Sequence, residues 1–252
     1  MNLAFLYTLV SVILMSAVSL LGVFTLSLNA DRLKTMVLYL VSFAVGALFG
    51  DAFIHLLPEA FEQLGFGIKT SLGVMSGILG FFLLEKFLRW RHCHIVAPEE
   101  GHIHPMVTMN LVGDFIHNTI DGMIVGVSYA VSIPIGLTTT LAVLLHEIPQ
   151  EIGDFGILVH GGLTVRRALF LNLLSSFGAL LGALIAFFAG THAGSMAAML
   201  LPITAGGFIY IAGSDLIPEL HHQTELKASV IQFVMITLGI IVMGLLTLLR
   251  GG

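Results

Sequence analysis

Two short groups of residues carry side chains that could do chemistry. Asp114, His117, Asn118 and Asp121 fall three or four positions apart, and so do His146, Glu147, Gln150, Glu151 and Asp154. Side chains at that spacing share one face of a helix. Each group therefore reads as a stripe of imidazole, amide oxygen and carboxylate, and two facing stripes could close around one or two cations. The donor types select the ion. Imidazole with carboxylate and amide oxygen, without thiolate, suits Zn²⁺ and tolerates Fe²⁺, Mn²⁺ or Cd²⁺, whereas oxygen alone would suit Mg²⁺ or Ca²⁺. Ligands must be deprotonated to bind, so loading should release protons and weaken at acid pH. Pro149 stands between Glu147 and Gln150 and leaves the Leu145 carbonyl without its usual helical partner, which predicts a kinked or broken helix at this point.

Both stripes lie near the middle of long apolar runs. A charged side chain at bilayer depth costs about 2.5–3.5 kcal/mol, so Asp114, Asp121, Glu147, Glu151 and Asp154 together need a positive partner. The whole chain fits that setting: 57% of its 252 residues are hydrophobic, 10% are charged, and the mean hydropathy is +1.01. This is the composition of a membrane protein. Eight runs reach spanning length, at approximately 3–28, 35–57, 68–88, 106–131, 134–160, 166–190, 195–220 and 228–249, each near or above the ~20 residues a helix needs. Little sequence remains between them, so residues 1–252 are expected to form one all-α membrane domain with no soluble module.

Eight cations, Arg32, Lys34, Lys86, Arg89, Arg91, Arg166, Arg167 and Lys227, lie in or beside loops after odd-numbered spans, against Lys69 and Arg250 on the other side. The positive-inside rule then puts the odd loops in the cytoplasm and both termini outside. The first span lacks a basic leader and a small-residue cleavage site and is expected to be retained. The single Cys93 can form neither an internal disulfide nor a thiolate metal site.

The longest connection, residues 89–105, holds His92, His94, His102 and His104 with Glu99 and Glu100, and reads as a cytoplasmic loop able to bind metal loosely. An internal echo is also present. His55-Leu56-Leu57-Pro58-Glu59 closes span two and Asp215-Leu216-Ile217-Pro218-Glu219 closes span seven, with Gly46 and Gly206 in register. Such an echo between spans of opposite direction suggests an inverted repeat of spans 1–3 and 6–8 around central spans 4 and 5. Most of the 28 glycines read as close helix contacts.

The motifs HNTIDG (His117 to Gly122) and HEIPQEIGDF (His146 to Phe155) resemble the paired signature of the ZIP family of zinc and iron transporters, in the branch whose fifth span reads HExPHELGDF. The resemblance covers essentially the whole chain. It implies a two-metal site between spans four and five, with His117, Asn118, Asp121, His146, Glu147 and Gln150 at matching positions and Glu151 beside them. It also implies a contribution from Asp215, with Asp51, His55 and Glu59 near the metal path and His221 and His222 at its mouth. A homodimer that moves Zn²⁺ into the cytoplasm by alternating access follows from the same resemblance. One position departs from the branch: Gln150 stands where a second histidine is usual, and a neutral amide is a harder, weaker donor that would tilt the site toward Mn²⁺ or Fe²⁺.

The residues also bear on other functions. His146-Glu147 begins the HExxH pattern of zinc proteases, but Gln150 replaces its second ligand, so an enzyme is not expected. A proton or alkali-cation carrier could use mid-membrane acids and histidines, yet it has little need for Asn118 and Gln150. Hydrogen bonding between helices alone suffices for His160, Asn172, His192 and Thr204. The expectation is therefore a multi-pass plasma-membrane importer of divalent metal, chiefly Zn²⁺, with metal ions, lipid and a second copy as partners and no nucleic acid.

Overall fold

The computed structural model describes residues 3–22, 30–93, 103–190 and 192–250. Helices α1 (Leu3–Val18), α2 (Ala30–Gly50), α3 (Leu57–Leu64), α4 (Ile68–Cys93), α5 (Pro105–Val131), α6 (Ile133–His160), α7 (Val165–Ser176), α8 (Gly178–Ala189), α9 (His192–Tyr210), α10 (Ile217–Leu220) and α11 (Leu226–Arg250) account for nearly all of them. Among the described residues there is no strand. Among the described residues six helical stretches are long and apolar enough to cross a membrane: Leu3–Gly22, Met36–Leu64, Ile68–Leu88, Val165–Ala189, His192–Leu220 and Leu226–Leu248. At 27 and 28 residues α5 and α6 match them in length. Their polar stripes leave neither of them among the six.

The centre of the molecule is apolar and filled from several helices. Val41, Ala44 and Leu48 of α2 pack with Ile120 and Met123 of α5, Phe155 and Leu158 of α6, and Leu201, Ala205 and Phe208 of α9. By contrast α4 and α11 are mostly unburied and turn Leu72, Met75, Leu79, Phe233, Ile241 and Leu245 outward. An apolar outer face on a regular helix suits lipid, because the backbone polar groups are already satisfied within the helix.

Two discontinuities sit away from the place where Pro149 predicts one. Helix α6 runs unbroken through Pro149. Instead the backbone widens into π-helical turns at Asp51–Leu56, between α2 and α3, and at Ile211–Leu216, between α9 and α10. Pro58 and Pro218, each two residues past a π turn, offer no N–H to the preceding turn, and the N–H groups of Leu57 and Ile217 reach back five residues to the carbonyls of Ala52 and Ala212. The two π turns occupy the echoed positions of the sequence. A π turn shifts the side-chain phase and is frequent at functional sites; here the first one carries Asp51 and His55.

Glycine sets the spacing around α5. A Cβ on Gly122 would stand 2.0 Å from the Ala179 carbonyl oxygen, and one on Gly182 would stand 2.0 Å from the Thr119 carbonyl oxygen. These reciprocal contacts press α5 against α8 and explain the glycine that ends HNTIDG. At the N-terminus of α5, His104 Nδ1 accepts the N–H of Met106 and the His104 N–H donates to the Gly161 carbonyl, so the start of α5 meets the end of α6. Residues 94–102 of the expected His-rich loop lie outside the described residues.

Candidate metal centre

His117 and Asp121 are one turn apart on α5, and His146 and Glu147 lie on the facing side of α6. One donor atom from each falls within 4.8 Å of the other three, and all four residues are buried. Asp121 is the hub: its Oδ2 is 3.1 Å from His146 Nε2 and 3.3 Å from His117 Nε2. Glu147 Oε1 is 3.7 Å from the same His117 nitrogen. Donors on a tetrahedral zinc ion stand about 3.4 Å apart, so rotamer adjustment alone could close this group on one ion. Both ring nitrogens of His117 and both carboxylate oxygens of Glu147 lack a hydrogen-bond partner among the described residues. Bare polar atoms at zero exposure are costly, and a cation is a partner that one His117 nitrogen and the Glu147 carboxylate can share.

The first π turn extends this group toward one end of the molecule. Asp51 Oδ2 lies 3.7 Å from His117 Nδ1, and Asp51 Oδ1 is paired with His55 Nδ1 at 2.8 Å. The His55 ring lies 4.8 Å from that of His146, and its Nε2 is 3.5 Å from Glu59. A cavity of about 260 Å³ lined by His55, Pro58, Glu59, Glu62 and Gln63 opens there. A continuous series of donors thus runs from an open cavity to the buried centre.

The remaining expected ligands are placed differently. Asn118 turns its amide nitrogen to Asp114, 2.8 Å away, and leaves its oxygen bare. Gln150 is buried with neither side-chain atom hydrogen-bonded among the described residues, and Asp215 is buried on the second π turn. Glu151 and Asp154 do not partner the histidines. Their hydrogen-bond partners are Asn172 of α7 and Asn110 of α5. Asn172, expected only to join helices, is thus an acid's partner, and Asn110 is a site residue that the i, i+4, i+8 series Asn110, Asp114, Asn118 marks on one helix face. His160 also has a specific partner, Glu219 Oε1 at 3.2 Å, with His222 on the other oxygen at 3.8 Å.

Spanning-length apolar helices define a multi-pass membrane protein, and the buried cluster of imidazole and carboxylate is a group that could hold a metal ion. A profile of the ZIP zinc transporter family matches residues 3–104 and 94–247. The chain is 39% identical over 223 residues to zinc transporter ZIP13 of Pongo abelii, covering 83% of this chain and 66% of that protein. It is 34% identical over 271 residues to zinc transporter ZIP13 of Homo sapiens, and 30% identical over 329 residues to zinc transporter SLC39A7 of Homo sapiens, which takes in 95% of this chain and 70% of the relative. The chain spans about two thirds of the length of these relatives. It belongs to the ZIP zinc transporter family, whose members move divalent metal, zinc above all, across membranes.

Proposed function

We propose that this chain carries Zn²⁺ through the centre between α5 and α6, with His117, Asp121, His146 and Glu147 as its ligands. The observation behind this reading is convergence: four donors from two helices, buried, within 4.8 Å of one another. Two carboxylates and two neutral imidazoles bring two negative charges, which one divalent ion cancels. Asp51 supports His117, and His55 and Glu59 pass the ion inward from the cavity beside α3. Asn118, Gln150, Glu151 and Asp215 serve it as it moves on. Fe²⁺, Mn²⁺ and Cd²⁺ are minor cargo, the first two favoured by the amide at Gln150.

The same reading counts α5 and α6 as spans, for eight in all, with both termini outside the cytoplasm. The π turns at corresponding places before Pro58 and Pro218 support an inverted repeat of spans 1–3 and 6–8. Transport runs toward the cytoplasm by alternating access. An open cavity at the His55 end, with Asn110, Asp114 and Asp154 buried toward the other end, suits the state that accepts metal from outside. The protein works as a homodimer in the plasma membrane, and residues 89–105 receive the exiting ion.

The test is ion uptake by vesicles holding the purified full chain, across a panel of divalent ions. Saturable Zn²⁺ uptake that disappears in His117→Ala and His146→Ala is the expected result. Uptake at the wild-type rate in both variants would refute the proposal.

A further inference from the structure

Asp51 opens the first π turn and is buried, and its two carboxylate oxygens face two different histidines. Oδ1 is 2.8 Å from Nδ1 of His55 on the same turn, and Oδ2 is 3.7 Å from Nδ1 of His117 on α5. Both contacts reach the Nδ1 edge of the ring. The opposite nitrogens point elsewhere. His117 Nε2 lies 3.3 Å from Asp121 and 3.7 Å from Glu147, and His55 Nε2 lies 3.5 Å from Glu59 at the open cavity. One buried carboxylate thus stands behind a ring of the candidate metal centre and behind a ring of the cavity beside it.

A neutral imidazole carries one N–H and one bare nitrogen, and a metal takes the bare one. An ionised carboxylate can only accept. A ring whose Nδ1 faces it therefore keeps its proton there and presents Nε2 with a free lone pair. His117 aims that lone pair at Asp121 and Glu147. The Phe208 ring, 5.4 Å from that of His117, offers no hydrogen-bonding group that could compete. Asp51 is badly placed to bind the same ion, since it meets His117 on the edge away from Nε2 and is not one of the four residues whose donors converge. Its Oδ2 has no hydrogen-bond partner among the described residues. The 3.7 Å gap to His117 needs to close by only about 0.8 Å to become an ordinary N–H···O bond of about 2.9 Å.

We propose that Asp51 is a positioning residue and not a ligand: one oxygen fixes the Nδ1–H tautomer of His55 and the other that of His117, so that both rings offer Nε2 to the metal. This rests on the reading that His117 is a zinc ligand. A carboxylate on the far nitrogen orients a ligating ring and makes its metal-facing nitrogen a better donor. The π turn matters here because it carries both Asp51 and His55, so one backbone feature sets a ring at the cavity and a ring at the centre. Asp51→Asn keeps the shape but replaces one oxygen by an amide that donates. Whichever ring faces that amide must accept on Nδ1 and carry its proton on Nε2, the nitrogen the ion needs.

The test reads tautomers directly, by ¹⁵N nuclear magnetic resonance of the purified full chain with labelled histidine, zinc-free at about pH 8, where imidazole is neutral. His55→Gln and His117→Gln identify the two signals. Both rings are expected in the Nδ1–H form in the wild type, and at least one in the Nε2–H form in Asp51→Asn. Zn²⁺ affinity should fall about 10–100-fold in Asp51→Asn, the range for a lost support of a metal ligand, and Asp51→Glu, which still only accepts, should bind more tightly than Asp51→Asn. An Nε2–H form of His117 in the wild type would overturn the proposal whether or not any variant folds. Unchanged tautomers or wild-type affinity in Asp51→Asn, or an Asp51→Glu that binds no better, would overturn it as well. The transport reading fails by a different result, Zn²⁺ uptake at the wild-type rate in His117→Ala and His146→Ala.

Discussion

The contact between α5 and α8 makes a prediction that can be worked from distance. Ordinary contact puts a Cβ 3.4–4 Å from its neighbour, whereas a Cβ on Gly122 would meet the Ala179 oxygen at 2.0 Å. In Gly122→Ala the helices must therefore part by about 1.4 Å, because packed interiors have little slack. Overpacking of this kind costs about 1–3 kcal/mol. Asp121, the hub of the proposed metal centre, is the adjacent residue, and metal sites hold their ligand distances to about 0.2 Å. Zn²⁺ affinity should fall by about tenfold or more, the range seen when the supports of a metal ligand are lost. The assay pairs Zn²⁺ uptake in vesicles with thermal unfolding of the purified protein. Gly80→Ala is the control, since a Cβ there meets nothing within 4 Å. Gly182→Ala opens the same interface from the other side, so the double variant should cost less than the two single costs combined. Wild-type uptake and unfolding in Gly122→Ala, or equal damage from Gly80→Ala, would refute the reasoning.

Three further outcomes follow from the site. Imidazole ligands must be neutral, and protons compete with metal, so the Zn²⁺ concentration for half-maximal uptake should rise steadily as outside pH falls from about 7.5 to 5.5; a flat profile would count against His117 and His146 as ligands. Gln150→His replaces an amide with imidazole and should raise the preference for Zn²⁺ over Mn²⁺ in competition uptake, by roughly tenfold for one softer ligand. Glu59 lines the open cavity 3.5 Å from His55, so Glu59→Gln should raise half-saturation while leaving the maximal rate close to wild type, as read from initial rates over a Zn²⁺ series.

Much of this architecture is legible in the sequence because the bilayer imposes one rule on every span. Apolar length alone placed the runs 106–131 and 134–160 within a residue of α5 and α6. Facing stripes were legible for the same reason, since helical spacing fixes which side chains share a face. Other features depend on contacts that spacing does not encode. Pro149 sits in an unbroken helix, while Pro58 and Pro218 accompany π turns, because the fate of a freed carbonyl is decided by its neighbours. Glu151 could be read as a ligand or as a histidine partner from α6 alone; its amide partner Asn172 comes from α7, 21 positions away. The run expected at 166–190 is two helices meeting at Phe177, where no proline marks the change.

The central claim is that two imidazoles and two carboxylates from adjacent membrane helices hold one ion. X-ray absorption at the zinc edge, on the purified chain loaded with one equivalent of Zn²⁺, reads this directly. Four nitrogen or oxygen neighbours at about 2.0–2.1 Å are expected, with two imidazoles in the outer shells that vanish in the His117→Ala, His146→Ala double variant. A sulfur neighbour at about 2.3 Å, or an imidazole signal that the double variant leaves intact, would contradict it.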